Sequence, residues 1–398
     1  MTLIGTEGSP IHEPEHEHEP EPESEPEHDP ESTVPDAAAA APSDPMRPMA
    51  PPAPRGPLSA ALLRLLTRRR LASLDHVDAA STGLLARMTD PLADGDLQLS
   101  LFLLYELHYG GLEGVPDSWE WEPKLLEARR ALERAFELAL RSRVSPPTTD
   151  RGVGVALDEI AGGVEPPLLA SFIEHQATVE QVREVLACRS ISALHEADAH
   201  SWTIPRLHGA PKTALVEIQS ERYGGGHAGR MHAATFARCL LGAGLDDRYG
   251  AYVDHVPTAV FTSMNTMSLF GLHRRLRGAS VGHLASFEST WALPHRACAN
   301  GLRRLGFGAD ATAYFDEHAE TDPTREHLAT HELAGALAEA EPELADDILL
   351  GAAAGIYVDG RLWMGVLSRF RAGDSALLRP LGGARRGDEQ GQQGQRGA

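Results

Sequence analysis

The sequence predicts an all-α protein, and three features of its residue pattern support this. Apolar residues recur at three- and four-residue spacing in long stretches such as "EPKLLEARRALERAFELALRSR" and "TVEQVREVLACRS". Strand signals are scarce, because the chain has few period-two runs and no Asn-Gly or Asp-Gly turn that joins two of them. Prolines and glycines fall between the helical stretches, as in "RVSPPTTDRGVG". Together these features indicate a protein built from helices that turns and loops connect.

The helical pattern divides the chain into four segments. Residues 1–56 form an acidic tail rich in Glu, Pro and His. Such a segment cannot bury enough apolar surface to offset the entropy of ordering, so we expect it to be disordered. A helical region at 57–148 is followed by a linker and then by a helical core at 164–382. The polar tail at 383–398 is also expected to be disordered.

Composition and charge argue against several classes of function. The chain has 398 residues and a net charge of −21, but residues 1–50 hold thirteen of the 57 acidic residues and a single arginine. No strong basic stripe is present, which argues against nucleic acid as a partner. No run of 18 apolar residues exists, so no membrane span is expected. Three widely spaced cysteines without a CxxC pair, and the lack of a signal-peptide pattern, favour a cytoplasmic protein.

The stretch "YFDEHAETDPTREH" contains a pair of residues with metal-ligand chemistry. His318 and Asp322 are four residues apart and would share one face of a helix. Pro323 disfavours helical geometry at Asp322, so we expect the helix to break or kink there. A charged helix surface would show the same pair, so both interpretations remain open at this point.

Carboxylates and histidines recur in three other helical stretches. Glu288 lies among apolar residues in "SFESTWALP", where a carboxylate is costly unless it is paired or binds metal. Glu217 and Glu221 share a helix face, and the glycines after them make a continuous helix up to His232 doubtful. Glu196 lies in the short run "ALHEADAHSWTIPR". Each residue could also face solvent, but such residues spread over several helices are typical of di-iron centres.

With these motifs the chain resembles the actinobacterial family of iron-containing redox enzymes, which belongs to the haem-oxygenase-like di-iron oxidase and oxygenase superfamily. The resemblance covers about residues 95–382. It rests on "HEADAHSWTIPRL", "ALVEIQSERYGGG", "RMHA", "NTMSLFGLHRRLRGASVGHLASFEST" and "YFDEHAETD", which match in both order and spacing. The resemblance implies a haem-oxygenase-like helical bundle without haem, to which this chain adds an N-terminal helical region and disordered termini.

The resemblance also implies a metal centre of two iron ions, with O2 as co-substrate. Glu217 is the alternative to Glu221 in the ligand set. Carried over position by position, the implied ligands are Glu196, Glu221, His232, Glu288, His318 and Asp322.

One position departs from the family pattern, which is His-x3-Asp-x2-His. Arg325 stands where the last histidine is expected, and a guanidinium that stays protonated is no ordinary metal ligand. His327 and His331 are near, but on a regular helix they would point away from Asp322. The sequence therefore suggests one firmly bound and one weakly bound iron, or a degenerate enzyme.

Other charged residues close to these motifs have expected supporting roles. Arg206, Arg222 and Arg230 are candidates to pair with ligand carboxylates or with a substrate carboxylate. Glu106 and His108 are two residues apart and cannot share a helix face, so this region is expected to support the structure or to line the substrate pocket.

The function that follows is a non-haem iron-dependent oxidase or oxygenase that oxidises a small organic substrate bearing an amine or a carboxylate. A homodimer is a further expectation from the resemblance. Two alternatives belong to other classes. One is a non-catalytic binding or regulatory module that has lost an iron ligand. The other is a metal-free hydrolase of the thiaminase type, which would need Cys188, Cys239 or Cys298 as its nucleophile.

Overall fold

The structure is a computed structural model that describes residues 47–67, 73–146, 149–163, 168–195, 197–290, 292–319 and 323–381. This part of the chain is almost entirely helical and contains no strand; Met49 and Leu112 form one isolated bridge. The predicted all-α class is therefore confirmed. The predicted tail at 383–398, and most of that at 1–56, lie outside the described residues.

The predicted helical region at 57–148 contains four α-helices within its described part. They are α1 (Pro57–Leu66), α2 (Leu74–Arg87), α3 (Gly95–Glu106) and α4 (Pro123–Arg143).

The later helices build the rest of the bundle. They are α5 (Val153–Gly163), α6 (Leu168–His175), α7 (Val179–Ala193), α8 (Asp198–Ser201), α9 (Gly209–Arg222), α10 (His232–Gly242), α11 (Thr258–Leu272), α12 (Arg277–Thr290), α13 (Ala292–Arg304), α14 (Ala309–Ala319), α15 (Pro323–His327), α16 (Ala336–Ala340) and α17 (Ala345–Arg371), with a π-helix (Leu328–Gly335) between α15 and α16. Short 3-10 turns lie at Asp117–Trp119, Ile204–Arg206, Gly224–Gly226, Ala228–Arg230, Arg274–Leu276 and Pro342–Leu344.

The chain just before α1 belongs to the folded protein, which corrects the predicted boundary at residue 56. Met49 is buried in the hydrophobic core. The Arg55 guanidinium donates hydrogen bonds to the carbonyl oxygens of Val253 (3.0 Å) and Val256 (2.7 Å). The polar, proline-rich composition of this segment predicted disorder. Met49 and Arg55 nevertheless anchor it to the folded protein.

The predicted linker between 148 and 164 also contains a helix. Helix α5 buries Val153, Ala156 and Leu157 in an apolar cluster that the π-helix shares. Gly154 faces the π-helix so closely that a Cβ there would lie 2.6 Å from Nδ1 of His331. The prolines and glycines on either side of α5 predicted a loop. The segment is helical instead, and its apolar residues pack against the π-helix.

The N-terminal helices and the later helices share one hydrophobic core. Phe102 of α3 packs on Phe261 of α11, with ring centroids 4.9 Å apart. Leu58 of α1 and Leu367 of α17 are fully buried members of the same cluster. Among the helices of the described residues, none combines the length and the apolar character that crossing a lipid bilayer requires.

Helices α12 and α17 cross in the interior at a distance that only glycine permits. A Cβ built on Gly282 of α12 would lie 1.8 Å from the carbonyl oxygen of Ile348. In the reverse direction, a Cβ on Gly351 of α17 would lie 2.0 Å from the carbonyl oxygen of Ala279. Because glycine has no Cβ, each backbone can rest against the other. This crossing determines where α12 presents its polar residues.

Replacing Gly282 with alanine is expected to lower the free energy of unfolding by about 2 kcal/mol, because the new Cβ would overlap α17 and both backbones would have to shift. Gly360→Ala is the matched control, because Gly360 also lies in α17 and a Cβ there meets no atom within 4 Å. The control is expected to be neutral or to stabilise by about 0.5 kcal/mol. Urea unfolding of the wild type and both variants measures the difference. Equal losses in the two variants would contradict the close crossing.

Candidate metal centre

Three glycines end α9 and allow α10 to begin at His232. The residues at 224–226 have φ angles of 73°, 59° and 86°, a left-handed conformation that favours glycine. A Cβ on Gly224 would lie 2.7 Å from the backbone nitrogen of Met231, so the chain also needs a glycine to double back here. The helix interruption predicted from these glycines is therefore present, and it separates Arg222 from His232.

His232 and His318 meet between α10 and α14. Nε2 of His318 lies 3.1 Å from Nδ1 of His232, and the ring centroids are 4.3 Å apart. His318 Nδ1 lies 2.7 Å from the carbonyl oxygen of Tyr314, one helical turn earlier. A carbonyl only accepts, so Nδ1 of His318 donates this bond and Nε2 is the nitrogen that faces His232. Metal-binding histidines are commonly oriented by such a bond.

His295 of α13 joins this pair, although no motif in the sequence pointed to it. Its ring centroid lies 4.9 Å from that of His318, and the residue is 1% exposed. Nη2 of Arg189, a buried residue of α7, lies 3.0 Å from Nε2 of His295 and donates to it. Accepting this bond requires an unprotonated Nε2, so His295 is neutral. A lone histidine in an apolar helix carries no spacing signal, which is why only the structure brings it into the site.

Glu288, a predicted ligand, is held by an arginine. Nε and Nη2 of Arg222 lie 3.1 Å and 2.5 Å from the same oxygen, Oε1, of Glu288. The side chains are 3% and 9% exposed, so this ion pair is buried between α9 and α12. Arg222, a predicted partner of ligand carboxylates, thus pairs with one of the predicted ligands. A buried pair of this kind is costly to break, because the remaining charge would have no partner.

Glu221 is also held by an arginine. Nη2 of Arg325 donates to its Oε1, which joins α15 to the end of α9. The Glu221 side chain is 48% exposed, and that of Arg325 is 23% exposed. Arg325, which stands where the family pattern has a histidine, therefore contacts one of the predicted ligands. Exposed pairs of this kind contribute little to stability.

Two predicted ligands, Glu196 and Asp322, lie outside the described residues. Residues next to them in the chain are described. Helix α14 comprises Ala309–Ala319 and α15 begins at Pro323; the residues between them, where the helix break is expected, lie outside the described residues. His195 stacks on Tyr249 with ring centroids 3.8 Å apart. Burial lowers the pKa of His195.

The other candidate ligands have different contacts. Nε2 of His331 lies 2.8 Å from Oδ2 of Asp158 in α5. The rings of His327 and His331 stack with their centroids 4.6 Å apart. These two histidines are therefore engaged with each other and with α5. Glu217, the alternative to Glu221, is exposed.

Glu106 is a buried carboxyl group, as expected for a residue that supports the structure. It is 1% exposed, and the Tyr249 hydroxyl donates a hydrogen bond of 2.7 Å to Oε1. Burial raises the pKa of Glu106 to about 8, although the bond from Tyr249 works in the opposite direction. Glu106 is thus a neutral acid at pH 7.

A small cavity of about 30 Å³ lies among α7, α11, α12, α14 and α17. Two buried groups of opposite charge, Arg189 and Asp359, line it, together with Tyr314 and His283. Ser263 donates a hydrogen bond of 2.6 Å to Asp359, and burial raises the pKa of this carboxyl to about 6. The volume is sufficient for about two water molecules or a small polar group.

An open groove of about 790 Å³ lies on the outer side of α9. It adjoins Glu221 and also contains Lys212, Glu217, Arg230 and Glu317. The groove connects solvent to the exposed side of the Glu221–Arg325 pair.

A helical bundle in which histidines and carboxylates from separate helices meet belongs to the class of proteins that can hold metal ions between helices. Residues 183–360 match the model of a protein family described as "Iron-containing redox enzyme". This segment of the chain is therefore similar to that family, and the haem-oxygenase-like bundle predicted from the sequence is confirmed. A search of curated proteins finds no match.

The residues at His232 and His318 fit an iron ion. Their facing nitrogens are 3.1 Å apart and share a hydrogen bond, which an ion bound by both nitrogens would replace, and the His318 ring is already oriented by a carbonyl. Within the described ranges, which leave out Glu196 and Asp322, no three His, Cys, Asp or Glu side chains are grouped closely enough to hold a metal.

The raised pKa of Glu106 predicts that the protein loses stability as the pH rises. Between about pH 5 and pH 8 this carboxyl is ionised in the unfolded chain but protonated in the fold. The free energy of unfolding should therefore fall by up to about 1.4 kcal/mol per pH unit. Glu106→Gln is neutral at every pH and can still accept from Tyr249, so it should lack this loss. Urea unfolding at pH 5.5, 7 and 8.5 tests this, and parallel curves for wild type and variant would refute it.

Proposed function

We propose that the protein is a non-haem iron-dependent oxidase or oxygenase that uses O2 to oxidise a small organic substrate. The observation that carries this proposal is the convergence of His232 and His318, 3.1 Å apart, inside a segment that matches the iron-containing redox enzymes. Iron bound there would supply the redox chemistry by which dioxygen is used. Glu196 and Asp322 are the proposed carboxylate ligands of the same ion.

The protein's own residues prepare this site. The bond from His318 Nδ1 to the Tyr314 carbonyl directs Nε2 toward His232. Arg189 donates to the adjacent His295, so the ring next to His318 is a neutral imidazole in a fixed orientation. These hydrogen bonds orient His318 and His295 at the proposed iron site.

The small polar cavity supports a substrate that bears an amine or a carboxylate. Arg189 would face a carboxylate and Asp359 an ammonium group, while Tyr314 connects the cavity to His318. The cavity has room for a polar group but not for a whole substrate, so the remainder of the molecule would extend beyond it.

A second candidate, the non-catalytic module, is favoured by a different observation. Both described carboxylates of the predicted ligand set, Glu221 and Glu288, are paired with arginines. Iron content separates this candidate from the oxidase.

The third reading, a metal-free hydrolase, receives no support from the cysteines. Cys188, Cys239 and Cys298 are all buried, and burial raises the pKa of each thiol, that of Cys298 to about 11. A nucleophilic cysteine needs the opposite environment, which lowers the thiol pKa.

His232→Ala and His318→Ala are each expected to lower iron binding at least tenfold, because each removes one of two neighbouring imidazole ligands. His175→Ala is the matched control, since His175 lies at the exposed end of α6 with 64% of its side chain accessible. Anaerobic loading with Fe(II), followed by desalting and elemental analysis, measures bound iron. Stopped-flow absorbance after mixing with O2 then tests whether the bound iron reacts.

A wild-type protein that retains no iron would exclude the oxidase and favour the non-catalytic module. The same conclusion would follow if the two histidine variants bound as much iron as His175→Ala.

A further inference from the structure

Arg222 places a permanent positive charge where the family resemblance expects a metal ion. Its guanidinium binds Oε1 of Glu288 through Nε and Nη2, and its Cζ lies 5.3 Å from the ring centroid of Phe287. Only 3% of the Arg222 side chain is exposed. A guanidinium keeps its proton at every pH that a protein tolerates, so this charge is always present.

Glu288 needs only one cationic partner. A buried carboxylate is stable when one positive charge neutralises it, and Arg222 already does so with two nitrogens. An iron ion at Glu288 would lie beside the guanidinium, and like charges repel strongly where water is excluded. Moving Arg222 aside would break its buried ion pair with Glu288, which is also unfavourable.

The charge of Arg222 also affects the pKa of His283 in α12. Burial, with a further contribution from Arg222, lowers the pKa of His283 to about 4. His283 is therefore neutral, and its Nδ1 lies 3.2 Å from Nε2 of the buried His200. Near Glu288 the interior thus contains the fixed cation of Arg222 and the neutral imidazole of His283.

The second arginine acts at the other described carboxylate. Arg325 replaces a histidine of the family pattern and binds Glu221. This pair is partly exposed, so it is weaker than the buried pair and can open more easily. Together the two arginines engage both described carboxylates of the predicted set, whereas His232 and His318 contact each other.

We propose that Arg222 takes the place of a second iron at Glu288, so that the chain binds one iron ion, at His232 and His318. This inference rests on the proposed function, because it concerns the number of ions at the same site. Glu288 then neutralises Arg222 and is not a ligand. Removing the charge of Arg222 should make Glu288 available to a second ion.

The test counts Fe(II) per chain after anaerobic loading and desalting, for the wild type and for Arg222→Gln. We expect about one iron in the wild type and about two in the variant, a twofold increase. Arg238→Gln is the matched control, because Arg238 is an exposed arginine of α10 that binds only the Gly229 carbonyl. It should retain the wild-type count.

Loading with Mn(II) gives an independent readout. Electron paramagnetic resonance should show an isolated ion in the wild type and a spin-coupled pair in Arg222→Gln. The double variant Arg222→Gln/Glu288→Gln removes both charges of the pair and should return to one ion. It remains informative if circular dichroism shows that the single variant does not fold.

The outcomes are distinct. Two irons in the wild type would overturn the single-ion inference but leave the proposed function intact. No iron in the wild type would overturn both. A folded Arg222→Gln that still binds one iron would show that Arg222 does not exclude the second ion. Loss of iron from the double variant would show that Glu288 is a ligand.

Discussion

The contact between α12 and α17 is the constraint on which the interior of this protein depends. Because Gly282 and Gly351 have no side chain, each helix rests against a backbone carbonyl of the other. The crossing brings ionisable residues into a region with little water, namely His283 and Glu288 of α12 and Asp359 of α17. Each of them must be neutral or paired there. His283 and Asp359 have pKa values shifted toward the neutral form, and Glu288 is paired.

The balance between buried carboxylates and cations then decides how many metal ions the site can bind. Carboxylates that face the interior need positive charge, and either a metal ion or an arginine can supply it. At Glu288 the structure uses Arg222, whereas His232 and His318 provide imidazole nitrogens, which are common metal ligands. The same family ligand pattern can therefore correspond to different metal contents, according to which carboxylates already have a cationic partner.

Local sequence signals gave correct answers where the cause of the structure is local. The glycines at 224–226 predict the end of α9, because their left-handed φ angles are a property of the residues themselves. Pro323 likewise marks the start of α15. The boundary at residue 56 and the linker before 164 were wrong for the opposite reason. Met49 and the apolar face of α5 become stable only through partners that are distant in the chain.

The sequence alone determined the all-α class, the similarity of the core to iron-containing redox enzymes and the set of residues with metal-ligand chemistry. These properties depend on residue type, spacing and order, which the chain carries directly. Only the tertiary structure decided that His318 meets His232, that His295 lies beside them, and that Arg222 binds Glu288. These partners lie on different helices and are brought together by the angles and distances at which the helices cross. Packing among all the helices fixes these crossings, and no local pattern encodes them.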